Sequence, residues 1–243
     1  MKPLTVLVTG PGGRIGPHIL PSFRERYTLR LLDRKPIEGE PDTIVADLSD
    51  IPTLRQAFTG VDVVLHLAAT SDEAPFVEEL VPNNIVGVYN VYQAAVEAGV
   101  RRVVFASTIQ TIGYFPQDYT VQTSDIPRPI TTYGCTKVFG ETLGRWFHDR
   151  HGLEVVCIRI GAFQPYDSPH FQQTWCRNNW LSPRDAVGVF SAAIEKEGLG
   201  YGIVFGTSLT EFERVSRQPI YDLLGYVPQD DVTMLYPQNP LTD

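Results

Sequence analysis

An apolar run, Leu4 to Val8, leads straight into Thr9-Gly10-Pro11-Gly12-Gly13-Arg14-Ile15-Gly16, and a helical pattern follows. No other feature limits the possible folds so sharply. Gly10, Gly13 and Gly16 form a GxxGxxG spacing between a strand and a helix. Such glycines permit a tight turn, a close backbone approach to a pyrophosphate, and close packing of helix on strand. Arg14 and Ile15 sit in the same turn. The N–H groups at the helix start then face the phosphates with the positive end of the helix dipole.

The rest of the chain repeats this unit. Strand-like runs fall at Leu4–Thr9, Thr28–Leu32, Thr43–Ala46, Val61–His66 and Arg102–Ala106, with a later one at Glu154–Ile160. Several are apolar almost throughout, as strands covered on both faces are. Helical patterns lie between them over 13–26, 51–59, 83–98 and 131–150. Pro21 falls inside the first and predicts a kink or a shorter helix. The alternation predicts an α/β, Rossmann-type, doubly wound parallel sheet. Residues 161–181 are rich in aromatic, Pro, Gln and Asn residues and read as a loop over a pocket. Ser182 then caps a helix to Glu197, with Pro183 in its first turn. Tyr201–Phe205 predicts one more strand, and a short helix lies near Pro219–Leu224. The expected organisation is a single domain over 1–243, with a dinucleotide-binding core over 1–160 and a small C-terminal substrate-capping region over 161–243.

Composition removes other classes. The 243 residues suit one sizeable domain. Lys plus Arg is 20 against 28 Asp plus Glu, and a net charge of −8 repels phosphate backbones and anionic lipid. No nucleic-acid or membrane partner is expected. Cys135, Cys157 and Cys176 are odd in number and form no CxxC pair, so neither a disulfide framework nor a metal ribbon is indicated. No apolar run approaches a membrane span, and the N-terminus shows no secretory leader. These features point to a soluble, cytoplasmic protein without a metal.

Two further carboxylates extend the dinucleotide reading. Asp33 ends the second strand in Leu31-Leu32-Asp33, where a carboxylate accepts both hydroxyls of an adenosine ribose. It repels a 2′-phosphate, so NAD is expected over NADP, with Arg34 weakening that preference. The competing reading of Asp33 is a strand-end turn residue. Asp47-Leu48 follows the third strand, within reach of an adenine. His66-Leu67-Ala68-Ala69 ends the fourth, and small residues there let a cofactor lie close to the backbone.

The reaction chemistry points elsewhere. Tyr133 and Lys137 stand four apart on a predicted helix and share a face. An ammonium beside a phenol favours the phenolate, which can take a proton from a substrate hydroxyl as hydride leaves the same carbon. Ser107 and Thr108 end the fifth strand at the carboxyl edge, and one of them is expected to face the substrate.

These motifs together resemble the extended short-chain dehydrogenase/reductase superfamily, the NAD-dependent epimerase/dehydratases. Within it the chain is most similar to the uronate dehydrogenase group. The likeness lies in Asn84-Ile85-Val86-Gly87-Val88-Tyr89-Asn90, Val104 to Thr108, Thr111-Ile112-Gly113-Tyr114, Tyr133 to Glu141 and Arg159-Ile160-Gly161. The resemblance implies NAD-linked oxidation of a sugar or sugar acid at C1, from hemiacetal to lactone. It implies Tyr133, Lys137 and Thr108 as catalytic residues, Asn84, Tyr133 and Lys137 as cofactor-binding residues, with Asn84 also supporting the active-site wall, and Ser71 as a substrate contact. It also implies a homodimer or higher oligomer through helices 83–98 and 131–150. The departures cluster where the substrate goes. Ile109 and Gln110 replace an Asn-His pair, and Ala162 replaces a serine. Trp175 takes the register of a carboxylate-binding arginine, which leaves Arg177 and His170 as the possible cations nearby. Alternatives are a nucleotide-sugar epimerase or reductase, and a non-catalytic NAD sensor. The short C-terminal portion argues against the first, and the intact Tyr133/Lys137 pair against the second.

Overall fold

The computed structural model describes residues 3–236. Seven parallel strands form one sheet in the order β3-β2-β1-β4-β5-β6-β9. They are β1 (Thr5–Thr9), β2 (Thr28–Asp33), β3 (Ile44–Val45), β4 (Val63–His66), β5 (Arg102–Thr108), β6 (Glu154–Ile160) and β9 (Tyr201–Gly206). The order reverses at β1, between β2 and β4. That switch point opens a crevice at the carboxyl ends of the strands, where open α/β sheets bind ligands.

Strand alternation sends side chains to two cores. Val6, Val8, Leu65 and Val104 face one side, where they meet Ile19 and Phe23 of α1 (Gly16–Arg26) and Val189 and Phe190 of α6 (Pro183–Glu195). Leu7, Val64, Val103 and Phe105 face the other. There they meet Leu54 and Phe58 of α2 (Ile51–Phe58), Val91 and Tyr92 of α3 (Gly87–Glu97), and Phe147 of α4 (Thr132–His151). Both faces are covered, which is why β4 is buried at every residue.

The differences from the sequence reading have local causes. α1 begins at Gly16, not at residue 13, because the preceding residues are spent on the glycine turn, and it runs past Pro21 unbroken. The helix expected over 83–98 starts earlier, as a π-helical segment over Phe76–Val86 that continues into α3. Pro82 lacks an N–H donor, and the Gly87 N–H bonds back five residues to its carbonyl, which widens the turn. The stretch 161–181 is more ordered than a loop. Its short strands β7 (Ala162–Phe163) and β8 (Trp180–Leu181) pair in parallel, and α5 (Thr174–Asn179) lies between them. Phe171 and Trp180 meet edge to face at 5.1 Å and anchor this lobe. α6 and β9 belong to the central sheet and its helical layer, so 161–243 is not all capping region. Residues 237–243 of the Pro- and Gln-rich end lie outside the described residues. No helix among the described residues is long and apolar enough to cross a membrane.

Candidate active site

The crevice holds two cavities that share the glycine turn. The first, about 310 Å³, is lined by Gly10, Gly12, Gly13, Asp33, Asp47, Leu48, Leu67, Ala68 and Ala69. Its floor is backbone. Gly10 has φ +71°, and a Cβ there would lie 2.5 Å from the Ala68 Cα. A Cβ on Gly16 would sit 1.8 Å from the Pro11 carbonyl oxygen, so Gly16 serves the packing of α1 and does not line the cavity. Asp33 is anchored through Oδ2, which accepts the Gly12 N–H at 3.0 Å. Asp47 accepts both the N–H and the hydroxyl of Ser49 at 2.8 and 2.7 Å. These bonds hold its carboxyl below the usual range. A backbone cradle, a helix start and two fixed carboxylates fit a dinucleotide. Lys35 and Asn83 line the same cavity and were not anticipated, although Lys35 stands only two residues after Asp33.

The second cavity, about 570 Å³, brings the expected chemistry together. Arg14, Ile15, Ser71, Ser107, Thr108, Ile109, Gln110, Tyr133, Lys137 and Ala162 all line it. Thr131 fixes the start of α4, its Oγ1 accepting the Gly134 N–H at 2.9 Å and donating to Gln110 Oε1 at 2.6 Å. Tyr133 therefore enters the cavity from a capped first turn. Lys137 lies one turn on, with Nζ 5.6 Å from the Tyr133 ring centre. Nζ donates to the Ala106 carbonyl at 2.8 Å, which ties α4 to β5.

Ser107 and Thr108 divide their duties. The Ser107 hydroxyl donates to Glu141 Oε1 at 2.6 Å and is committed to the protein. Thr108 Oγ1 accepts the Gln110 N–H at 3.2 Å, which leaves its proton for another partner. Glu141 also takes Arg159 Nε at 2.9 Å and Nη2 at 2.8 Å in a fully buried ion pair. This pair backs the floor beneath Ser107 and Lys137.

Burial dominates the electrostatics. It pushes Lys137 down to about 7, against a smaller upward pull from Glu141. It pushes the Tyr133 phenol well up, and the Asp72 carboxylate adds to that while Arg14 opposes it. The expected lowering of Tyr133 by Lys137 is therefore not found in the protein alone. Taking the phenol out of water outweighs the nearby charge. His66, buried between Thr9 and Phe105, is pushed down to about 3 by burial and stays neutral.

Besides Gly16, two expected residues lie elsewhere. Asn84 does not line either cavity. It is buried, accepting the Thr70 N–H at 2.8 Å and donating to Thr70 O at 2.9 Å and Thr136 Oγ1 at 3.1 Å. It pins the segment after β4 to α4, a wall support more than a contact. Arg177 is buried and donates to the Tyr236 carbonyl at 3.0 Å, and it does not line the substrate cavity. One helical turn aims Arg177 into the lobe and leaves Trp175 and Asn179 on the cavity side. Asp72, Gln117, Gln164 and Asn179 line the cavity and were not anticipated. Asp72 had a signal, standing at the carboxyl edge directly after Ser71. The two glutamines, in irregular segments, had none.

A model of the NAD dependent epimerase/dehydratase family matches residues 6–170. The chain belongs to that family. An NAD-dependent glucose-6-phosphate dehydrogenase of Haloferax volcanii is 37% identical over 247 residues, 93% of this chain and 93% of that protein. A uronate dehydrogenase of Pseudomonas syringae pv. tomato is 35% identical over 208 residues, covering 84% of this chain and 74% of that enzyme. A mutant uronate dehydrogenase from Agrobacterium tumefaciens, crystallised with NAD, superposes with a TM-score of 0.85 at 31% identity, over 95% of this chain and 86% of that one. The family match spans the glycine turn, both cavity carboxylates, Thr108 and the Tyr133/Lys137 pair.

Proposed function

We propose that this protein is an NAD-dependent oxidoreductase that oxidises the anomeric carbon of a sugar, from cyclic hemiacetal to lactone. One observation carries the reading. Tyr133, Lys137 and Thr108 converge on a single cavity that opens directly from the glycine turn. NAD, when bound, supplies the hydride acceptor. Gly10, Gly12 and Gly13 would hold its phosphates and Asp33 its adenosine ribose. The C1–H bond gives up its electron pair as hydride. The C1 hydroxyl loses its proton to Tyr133 Oη, and the C=O of the lactone forms. Thr108 positions the reacting oxygen through its free hydroxyl proton. Lys137, held on Ala106 O, brings positive charge to the phenol only while it is protonated, and in the protein alone burial keeps the phenol protonated. Its ionisation during turnover therefore requires added positive charge. Asp33 disfavours a 2′-phosphate, while Arg34 and Lys35 on the same cavity wall limit that discrimination.

We further infer that two copies pair through the outer faces of α3 and α4, where Tyr89 (45%), Phe139 (38%) and Trp146 (51%) are exposed. Light scattering of the purified protein checks this, and a monomer at micromolar concentration contradicts it. The cysteines are unpaired, which suits the reducing cytoplasm.

The decisive variant is Tyr133→Phe. It is expected to lower the rate of NADH formation by about 10³-fold, since a positioned proton acceptor contributes ~10²–10⁴. NAD affinity, read by titration, should not change. A variant that keeps its turnover rejects Tyr133 as the proton acceptor.

A further inference from the structure

The three relatives above carry names that specify an anionic sugar, one a phosphate and two a uronate. The substrate cavity of this chain is not built for an anion. Among the described residues its charged lining consists of Arg14, Asp72 and Lys137. Arg14 Nη2 meets Asp72 Oδ2 at 2.8 Å, so the two charges cancel across the mouth. Arg14 also belongs to the glycine turn, where a cofactor's phosphates draw on positive charge. Lys137 is buried at the reacting end and committed to Ala106 O. Arg177 is turned away onto Tyr236 O. Arg128 lies over the Phe115 ring at 5.3 Å and does not line the cavity. A sugar carboxylate or phosphate brought inside would leave water without a cation of its own and would meet the Asp72 carboxylate. An unpaired charge in such a site is strongly disfavoured.

What the cavity offers is neutral. Gln117, Gln164, Asn179 and Ser71 bring amides and a hydroxyl to its wall. Gln164 uses Oε1 to accept from Ser168 at 2.8 Å, and its amide nitrogen remains for a ligand. Trp175 is half-exposed, and its Nε1 is satisfied by Gln173 Oε1 at 2.7 Å. Only its ring is left to present to the cavity, an apolar platform matched to the C–H face of a pyranose. Apolar walls with a few convergent polar groups are how small neutral ligands are held.

We infer that the substrate is an uncharged aldose, recognised by neutral amides and the Trp175 ring, and that uronates and sugar phosphates are discriminated against. The inference rests on the proposed C1 oxidation. The test measures kcat/KM with NAD for glucose and galactose, for their uronates, and for their 6-phosphates. A neutral sugar should exceed its own uronate and phosphate by about 100-fold, the worth of a lost charged hydrogen bond. The same panel is run with Trp175→Arg, which puts a cation on the cavity wall. That variant should move the ratio at least tenfold towards the uronate while the KM for NAD holds. A wild-type preference for either anionic form overturns the inference and leaves the C1 oxidation standing. An unmoved ratio in Trp175→Arg counts against Trp175 as the specificity residue. No reduction with any sugar, with NAD still bound, overturns the C1 oxidation and this inference together.

Discussion

The two halves of the crevice are built from different materials. The dinucleotide half is mostly backbone, made of glycines and alanines at the ends of parallel strands, with Asp33 and Asp47 fixed by neighbouring N–H groups. The reaction half is mostly side chains, drawn from the ends of β4, β5 and β6, the start of α4 and the 161–181 lobe. Its floor rests on buried charge, with Glu141 gripping Arg159 and Ser107 beneath Lys137. A backbone cradle depends little on any one side chain. A floor of buried charges fails when one partner is removed, because the other is left unpaired in the interior. The reaction half should therefore be the more fragile of the two.

Glu141→Gln attacks that fragility directly. It keeps the shape but leaves the Arg159 guanidinium uncompensated, and Arg159 Nη1 already has no hydrogen-bond partner. The expected loss is ~3–5 kcal/mol of stability, read by urea unfolding. A loss below ~1 kcal/mol would mean that water reaches the pair.

Lys137→Met sharpens the same contrast through pH. The Lys137 ammonium is pushed down to about 7 by burial, while an unfolded lysine titrates near 10.4. Between those values the unfolded chain holds the extra proton, so stability rises with pH across this window. The contribution is complete above the unfolded value and is lost as pH falls to about 7. Wild type should thus gain on Lys137→Met as pH rises from 7 to 10, by a few kcal/mol. A constant difference between the two proteins would show that Lys137 stays charged in the fold.

Asp33→Ala probes the dinucleotide half and should act on binding alone. NAD affinity is expected to fall by about 10- to 100-fold, the worth of hydrogen bonds to a charged group, and discrimination against NADP should relax with Arg34 and Lys35 close by. Unfolding stability should change by less than ~1 kcal/mol, since the Gly12 N–H is near the surface. A large stability loss here would erase the contrast between the halves.

The same contrast explains what the sequence could disclose. The glycine spacing, Asp33, Asp47-Leu48 and Ala68-Ala69 were legible because a strand end and a tight turn leave few choices of residue, at positions set by the βα unit. Tyr133 and Lys137 were legible because helical spacing places them on one face. The 161–181 lobe was not. Its side-chain directions depend on α5 and the short β7–β8 pair, which form against Phe171 and Trp180 and leave no periodic pattern. Arg177 stood two residues from the register of a carboxylate-binding arginine, yet one helical turn decides which way it faces. The π-helical widening at Pro82 likewise hid the early start of that helix. Spacing reports neighbours but not the extent of burial, and burial sets the directions at Tyr133 and Lys137.

The most direct test compares a free aldose with its 1-O-methyl glycoside in the presence of NAD, following NADH absorbance. If Tyr133 removes the proton of the anomeric hydroxyl, the free sugar reduces NAD and the glycoside, which has no such proton, does not. Equal NADH formation from both would place the oxidation at another carbon and contradict the account.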